Sequence, residues 1–458
     1  MTARILFCAP SSGTGKTTVT CAVLRAMQRK GLKLAACKSG PDYIDPMFHQ
    51  KVLETPSTNL DLFFFPPQTA RALLRQVGEG ADLTVLEGAM GFYDGIAMSE
   101  QASAYDLAVK TETPAVLVLD GRGSALSLAA TIRGFAAFRS PNPLRGVILN
   151  RVKPAMAARL GEMLLKETGL PLLGCLPPLP DCAFESRHLG LVTAGEIAGL
   201  KEKLDKLADA AADSIDLDAL LALAREAPAL TETLTLPKAP RGKVKIAVAR
   251  DEAFCFYYET SLDILRALGA ELLPFSPLRD KALPKGACGL YLGGGYPELH
   301  AETLAMNHAM REAVRAAVTA GMPTIAECGG FLYLHRTIQD QGGHPWLMAG
   351  VLDAEGYPTG QLSRFGYVTL KAQGDSLLFP AGAEMPAHEF HYWDSTNPGA
   401  AFAAQKPQSG RGWETGVATE SLYAGFPHFH FASDPQAAVR FLAAARRYRK
   451  AQKEIERK

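Results

Sequence analysis

No apolar run in this 458-residue chain approaches the roughly 18 residues that a membrane span requires. An excess of one charge is also missing. Lys and Arg number 48 against 47 Asp and Glu, a formal net charge of +1, so nothing at whole-chain level argues for a nucleic-acid or anionic-membrane partner. Cysteine is sparse, with eight residues at 8, 21, 37, 175, 182, 255, 288 and 328, and no pair has metal-ligand or redox spacing. Disulfides are not expected in a chain this long and cysteine-poor. The first ten residues lack the basic-then-apolar layout of a signal peptide, and Arg4-Ile5-Leu6-Phe7 reads as a first strand. No internal repeat recurs at a fixed period. A cytoplasmic protein is the consistent expectation.

What is present is enough apolar material for more than one core. Hydrophobic residues make up 47% and charged ones 21%, and the length predicts two domains. In the first half, short apolar runs (Ile5–Ala9, Leu34–Cys37, Leu83–Leu86, Ala115–Leu119, Gly146–Leu149) alternate with amphipathic stretches (Lys16–Lys30, Ala104–Lys110, Leu126–Ala137). That alternation predicts an α/β domain with a mostly parallel sheet wrapped by helices. Gly195 to Glu226 has helical spacing, and Thr231–Lys243, with Pro237, Pro240 and Gly242, reads as a linker. Alternation resumes with Val244–Ala249, Leu272–Phe275, Gly289–Leu292 and Pro323–Ala326 as strands, and Ser261–Leu268 and Ala305–Ala320 as helices. The expected division is 1–193 for the first domain, 194–242 for a helical segment and linker, 243–445 for a second α/β domain, and 446–458 for a basic tail that reads as a solvated helix end.

Each half carries its own chemistry. Ser11-Ser12-Gly13-Thr14-Gly15-Lys16-Thr17-Thr18 lies between a predicted strand and a predicted helix. Glycines let such a loop wrap phosphate oxygens, and the helix start adds unpaired N–H groups and a partial positive charge. Ser12, Gly13, Thr14, Gly15, Lys16, Thr17 and Thr18 are therefore the candidate nucleotide-binding residues. Lys16 would reach the outer phosphates, and the Thr17 hydroxyl would sit on Mg²⁺. The common pattern would have a glycine where Pro10 stands. Glu87 ends an apolar strand, where a sheet edge delivers a metal-binding carboxylate. Lys38-Ser39-Gly40-Pro41-Asp42-Tyr43-Ile44-Asp45-Pro46 brings two more acids and a lysine to the same edge.

In the second half, Cys328 follows the strand Pro323–Ala326 and precedes Gly329-Gly330. A tight strand-to-helix turn exposes a nucleophile and leaves N–H groups to stabilise an oxyanion. A thiol needs a base, and His428 and His430, two apart in a strand-like run, are the candidates. Gly293-Gly294-Gly295 follows another strand and could supply oxyanion-hole amides. His388-Glu389-Phe390-His391 reads as a substrate-contact strand or a metal decoy, with an ordinary core or surface role favoured.

These residues resemble the cobyrinic acid a,c-diamide synthases over nearly the whole chain. The resemblance is carried by the loop from Ser11, by Lys38–Pro46, Asn59-Leu60-Asp61, Glu87–Gly95, Leu292–His300, Glu327-Cys328-Gly329-Gly330, Arg364-Phe365-Gly366-Tyr367 and the final His-Phe-His. It implies an N-terminal P-loop domain like dethiobiotin synthetase and a C-terminal class I glutamine amidotransferase domain. It further implies an ATP- and Mg²⁺-dependent ligase that amidates the a and c acetate carboxylates of cobyrinic or hydrogenobyrinic acid in cobalamin biosynthesis. On that basis Cys328 attacks glutamine, and His428 or His430 handles protons. Lys38, Asp42, Tyr43, Asp45, Glu87, Gly294 and Gly295 become candidate substrate-binding residues, and Thr17, Asp42 and Glu87 the candidate metal ligands. The implied partners are a corrin or related tetrapyrrole, L-glutamine and ATP, with neither nucleic acid nor membrane, and with room left for a homo-oligomer. Two departures stand out: Ala326 occupies the place of a common glycine, and His430 stands where a glutamate usually follows the base. A nickel-sirohydrochlorin a,c-diamide synthase would use the same motifs. A partitioning-type ATPase switch would use the first half alone, and Cys328 argues against it.

Overall fold

The computed structural model describes residues 3–182, 194–238, 242–362 and 364–456. The chain divides into two compact units, Met1–Leu234 and Thr235–Lys458.

The first unit is built on seven parallel strands: β1 (Ala3–Cys8), β2 (Leu34–Ser39), β3 (Ser57–Leu60), β4 (Leu83–Glu87), β5 (Ala115–Asp120), β6 (Leu144–Asn150) and β7 (Leu172–Leu176). They lie in the order β3, β2, β4, β1, β5, β6, β7. The central strands are buried along their whole length, as parallel strands covered on both faces must be. Among the described residues eight α-helices complete the unit: α1 (Lys16–Arg29), α2 (Ile44–Lys51), α3 (Pro67–Val77), α4 (Ala104–Lys110), α5 (Leu126–Ala137), α6 (Pro154–Thr168), α7 (Ala194–Ser214) and α8 (Leu217–Arg225). The order reverses beside β1, whose neighbours β4 and β5 lie on opposite sides. In open α/β sheets this switch point leaves a crevice at the carboxyl ends of the strands.

The helical stretch read from the sequence packs into this unit. Leu204, Leu207, Ala208 and Ala211 of α7 and Leu217, Leu220 and Ala224 of α8 join the core of Val19, Val23 and Met27. Asp216 caps α8 by accepting from Ala219 N at 2.9 Å. Buried Arg4 ties down the chain beyond α8, donating to Pro228 O at 2.7 Å, Thr111 O at 2.9 Å and Thr113 Oγ1 at 3.2 Å. The linker stretch is irregular through Lys238, and residues 239–241 lie outside the described part.

The second unit starts as a second α/β layer. β8 (Val244–Ala249), α9 (Glu259–Ala267), β9 (Ala270–Phe275), β10 (Gly289–Leu292), α10 (Ala301–Met306), α11 (His308–Thr319), β11 (Thr324–Glu327) and the short α12 (Gly329–Tyr333) follow one another. β9, β8, β10, β11 and the strand Leu422–Gly425 run parallel in that order, and Val417–Ala418 closes the edge antiparallel. Two further sheets fill the span between α12 and the C-terminal helix Pro435–Glu456. One is four-stranded. The other is five-stranded and wholly antiparallel, and it includes Arg364–Ala372, Glu384–His391 and His428–Phe429. The chain passes from Leu422–Gly425 in the parallel sheet, through Phe426-Pro427, to His428–Phe429 in the antiparallel one. A histidine is thereby delivered at the seam between the two sheets, beside β11.

Candidate active sites

In the first unit, the loop after β1 leads into α1 with Gly13 at φ 80° and Gly15 at φ 90°. Gly15 is required twice over. Its φ favours glycine, and a Cβ there would lie 1.9 Å from Asn150 Nδ2. Asn150, at the end of β6, donates from Nδ2 to Thr14 O at 2.9 Å. Arg151 reaches Gly13 O at 3.4 Å and pairs with Asp120 at 2.7 Å. Burial alone would raise the Asp120 carboxyl, but bonds from Arg122 and Arg151 hold it down at about 2. The loop is therefore braced from β5 and β6, by residues the sequence did not single out. The other wall is the stretch after β4, where Gly88 N donates to Phe7 O at 2.9 Å and Phe92 N to Ala9 O at 2.8 Å.

Lys16 is 8% exposed, and its Nζ donates to Met90 O at 2.8 Å. Burial first, then the like charge of Lys38, lowers its pKa from the usual lysine value. Thr17 Oγ1 donates to Glu87 Oε1 at 2.5 Å, and Lys38 Nζ donates to the same oxygen at 2.8 Å. Lys38 Nζ also pairs with Asp45 Oδ2. Burial would depress Lys38, but Asp45 and Glu87 outweigh it and hold the ammonium firmly charged. Asp45 answers in kind: burial would raise its carboxyl, and Lys38 holds it below the usual range. Asp42 accepts from Ile44 N at 2.8 Å, and burial followed by the neighbouring Asp45 pushes it up to about 6. Asn59 of β3 fixes this turn, donating to Gly40 O at 2.9 Å and Asp42 O at 2.6 Å. Tyr43 is buried at the start of α2. His49, one turn beyond Asp45 on α2, is fully buried in the field of the same acids, a place that no local motif marks.

The second carboxylate oxygen of Glu87, Oε2, is buried and has no hydrogen-bond partner. Among the described residues, no group of three His, Cys, Asp or Glu side chains could hold a metal alone. Mg²⁺ does not need one, because it is held by one or two protein oxygens together with substrate phosphates and water. A free carboxylate oxygen beside the Thr17 hydroxyl fits that requirement.

Lys38 is the keystone of this cluster, which gives a first prediction. In Lys38→Met the Asp45 and Glu87 carboxylates stay buried without their cation. Removing one partner of a buried ion pair costs about 3–5 kcal/mol. Calorimetry should show the first unit unfolding at a clearly lower temperature, with a smaller deficit at acidic pH, where the Asp45 carboxylate that Lys38 holds down takes up a proton. An unchanged unfolding temperature would refute the keystone role.

In the second unit, β11 ends at Glu327 and Cys328 turns the chain into α12 with φ 49° and ψ −102°. Few non-glycine residues adopt φ in this range, at a cost of about 1–3 kcal/mol. The surroundings impose it: Cys328 N donates to Gly425 O at 2.7 Å, Leu332 N to Cys328 O at 3.0 Å and Gly330 N to Gly293 O at 3.0 Å. The oxyanion-loop candidates Gly294 and Gly295 run alongside. Gly293 N donates to the Tyr257 hydroxyl at 2.8 Å, and Tyr257 in turn donates to Ala249 O. A Cβ on Gly294 would lie 2.6 Å from His428 Cε1 and 3.2 Å from its Nε2. Only glycine lets this imidazole approach the loop.

The two candidate histidines have different settings. His428 has Nδ1 3.5 Å from Glu327 Oε2 and its Nε2 edge toward Gly294. His430 accepts from Ala432 N through Nδ1 at 3.0 Å, packs its ring 4.8 Å from that of Tyr258, and is pushed down to about 3 by burial. Burial, with Glu298 next, raises the Cys328 thiol well above its usual value, so a base is required. Glu298, three residues past the glycine loop, is itself raised by burial to about 7. The strand Glu384–His391 lies against this site. His388 pairs directly with His428, and Glu389 contacts His391 Nε2 at 3.3 Å and Trp413 Nε1 at 3.3 Å.

Comparison with known proteins assigns the same two halves. Residues 5–191 match the family model of the CobQ/CobB/MinD/ParA nucleotide binding domain, and residues 245–436 match that of the CobB/CobQ-like glutamine amidotransferase domain. The cobyrinate a,c-diamide synthase of Salmonella typhimurium is 38% identical over 448 residues, covering 95% of this chain and 96% of its own. That of Listeria monocytogenes is 38% identical over 437 residues (93% and 96%), and that of Caldanaerobacter subterraneus subsp. tengcongensis 37% over 434 residues (94% and 96%).

Proposed function

The chain belongs to the cobyrinate a,c-diamide synthase family, and from that premise we propose that it amidates the a and c acetate carboxylates of cobyrinic acid or hydrogenobyrinic acid, with glutamine as nitrogen donor and ATP as activator. The observation that carries this reading is the pairing of two complete sites in one chain. One is a phosphate loop whose Lys16, Thr17 and Glu87 converge. The other is a strained Cys328 elbow with His428 beside it.

The balanced sequence begins at Cys328. His428 Nε2 takes the thiol proton, and sulfur attacks the side-chain carbonyl carbon of glutamine. Amides of the Gly294–Gly295 loop support the oxyanion. The C–N bond breaks, and ammonia leaves with the proton that His428 returns. Water then hydrolyses the thioester to glutamate. His428 serves as base; His430, whose Nδ1 is occupied by a backbone amide, braces the turn instead.

At the nucleotide site, a substrate carboxylate oxygen attacks the γ-phosphorus of ATP and ADP departs. Ammonia attacks the resulting acyl phosphate, and inorganic phosphate leaves as the amide forms. Lys16 exchanges the Met90 carbonyl for phosphate oxygens and offsets the charge that spreads over the transferring phosphoryl group. The Thr17 hydroxyl and the unpartnered oxygen of Glu87 would hold Mg²⁺, with Asp42 completing the set; once bound, the ion would supply positive charge to the phosphates. Lys38 and Asp45 orient the carboxylate being activated, and Tyr43, buried at the start of α2, is a further contact for the substrate.

The test is a product measurement. The protein is incubated with ATP, Mg²⁺, glutamine and each of cobyrinic acid, hydrogenobyrinic acid and nickel-sirohydrochlorin, and the products are weighed. A corrin gaining two amides is expected. Amidation of nickel-sirohydrochlorin alone would overturn the corrin assignment, and ATP hydrolysis without any amide would overturn the ligase.

A further inference from the structure

A histidine that shuttles a proton between a thiol and a leaving amine needs its far nitrogen fixed by an acceptor. That acceptor selects the working tautomer and steadies the imidazolium that forms. The residue two after His428 cannot serve, because it is His430, a buried ring held by a backbone amide. A carboxylate reaches His428 from another direction. Glu327, the residue before the nucleophile, is 1% exposed, and its Oε2 lies 3.5 Å from His428 Nδ1. The Tyr291 hydroxyl donates to that same oxygen at 3.2 Å, and Phe429 N donates to Oε1 at 3.4 Å.

Among the described residues Glu327 has no Lys or Arg in ion-pair range, and His428 is its one ionic neighbour. A buried carboxylate without a cation is costly, and a His428 that has taken the thiol proton would be that cation. Resting on the amidation reading, we infer that Glu327 is the positioning residue of the glutaminase site, holding His428 through Nδ1 and balancing its charge while Cys328 is a thiolate.

The arrangement has a built-in sign. Glu327 taken alone opposes the thiolate, since its charge helps to raise the Cys328 thiol. It assists only through a protonated His428, whose Nδ1 faces Glu327 and whose Nε2 edge faces Gly294. Nucleophile and positioning residue are thus consecutive in the chain, at the turn where Cys328 N meets Gly425 O and the Glu327 carboxylate meets the histidine's far edge. The other titratable groups beside this pair are Tyr291 on β10, which donates to the Glu327 oxygen, Cys328, next in the chain, and His388 on Glu384–His391, the strand partner of His428. His388 is pushed down to about 3 by burial and then by His428, so it is uncharged at neutral pH and cannot replace Glu327.

The test uses the full chain and glutamate release from glutamine. Glu327→Gln preserves shape but can accept on one oxygen only. Turnover is expected to fall by about 100-fold or more, with KM within a few-fold, because the lost interaction belongs to the charged transition state. The acid limb of the turnover profile should move to lower pH as the imidazolium loses its counter-charge, and Glu327→Asp should recover part of the rate. In a His428→Ala background, Glu327→Gln should cost nothing further, since it acts through the missing ring. A turnover within about three-fold of wild type with an unmoved acid limb, or an equal loss in the His428→Ala background, would overturn the inference. Amidation driven by added ammonia is read in parallel. Its absence in the wild type would sink the proposed amidation while leaving the glutamate-release comparison interpretable.

Discussion

Cys328→Ala is expected to abolish glutamine-dependent amidation while ammonium salt at mildly alkaline pH still drives it. In the proposed mechanism the sulfur is the nucleophile that forms the thioester, and alanine offers no substitute. The glutamine-driven rate should therefore fall by about a thousand-fold or more. Ammonia supplied from solution bypasses that step, because the acyl phosphate is made by the first unit from its own residues. Alanine is smaller than cysteine and fits the elbow, whose shape is set by Cys328 N on Gly425 O and Gly330 N on Gly293 O. Fold loss is therefore not expected, and an unchanged unfolding temperature checks it. If a well-folded variant also lost the ammonia-driven reaction, the division of labour between the two units would be wrong.

Lys16→Ala should remove both activities. The ammonium group is the buried cation aimed at the phosphate loop, and the charge it offsets is greatest in phosphoryl transfer. Loss of such a group costs about 100- to 1000-fold in rate. Neither nitrogen source can rescue a carboxylate that is not activated. The fold should survive, since among the described residues the side chain makes a single hydrogen bond, to Met90 O, and the neighbouring Asp45 and Glu87 keep their ion pairs with Lys38. An ammonia-driven rate equal to wild type would sink the nucleotide-site assignment. With Cys328→Ala, the variant forms a dissociation in which one substitution is rescued by ammonia and the other is not.

The parts of this architecture legible in the sequence are those with local signals. A strand, a glycine loop and a helix with Gly-Lys-Thr-Thr at the junction announce a phosphate site without any knowledge of the sheet. Cys328 between a strand and Gly329-Gly330 announces an elbow. Glu87 was found because an acid ending an apolar strand is conspicuous. What escaped depends on long-range pairing. Asn150 and Arg151 brace the loop from more than a hundred residues away, and only the sheet order brings β6 to it. Glu327 reads as one more residue at a strand end until Leu422–Gly425 pairs with β11 and carries His428 past it. Apart from His388–His391 and the run at His428, the strands between Pro345 and Phe429 carry little local signal because their alternation is weak: Arg364–Ala372 mixes exposed, half-buried and buried positions with a glycine among them. Ser57–Leu60 is short and polar, yet all four residues are buried, because Asn59 is used to hold the Gly40–Asp42 turn.

The most direct measurement follows one nitrogen atom through the protein. Wild-type enzyme is given ATP, Mg²⁺, the corrin substrate and glutamine carrying heavy nitrogen in its side-chain amide, with unlabelled ammonium salt kept low. Two coupled sites predict a product with heavy nitrogen at both new amides, and the label missing from the amides when Cys328→Ala replaces wild type under ammonium. A wild-type product whose amides carry only the unlabelled nitrogen, or an unamidated corrin beside glutamate and ADP, would contradict the account.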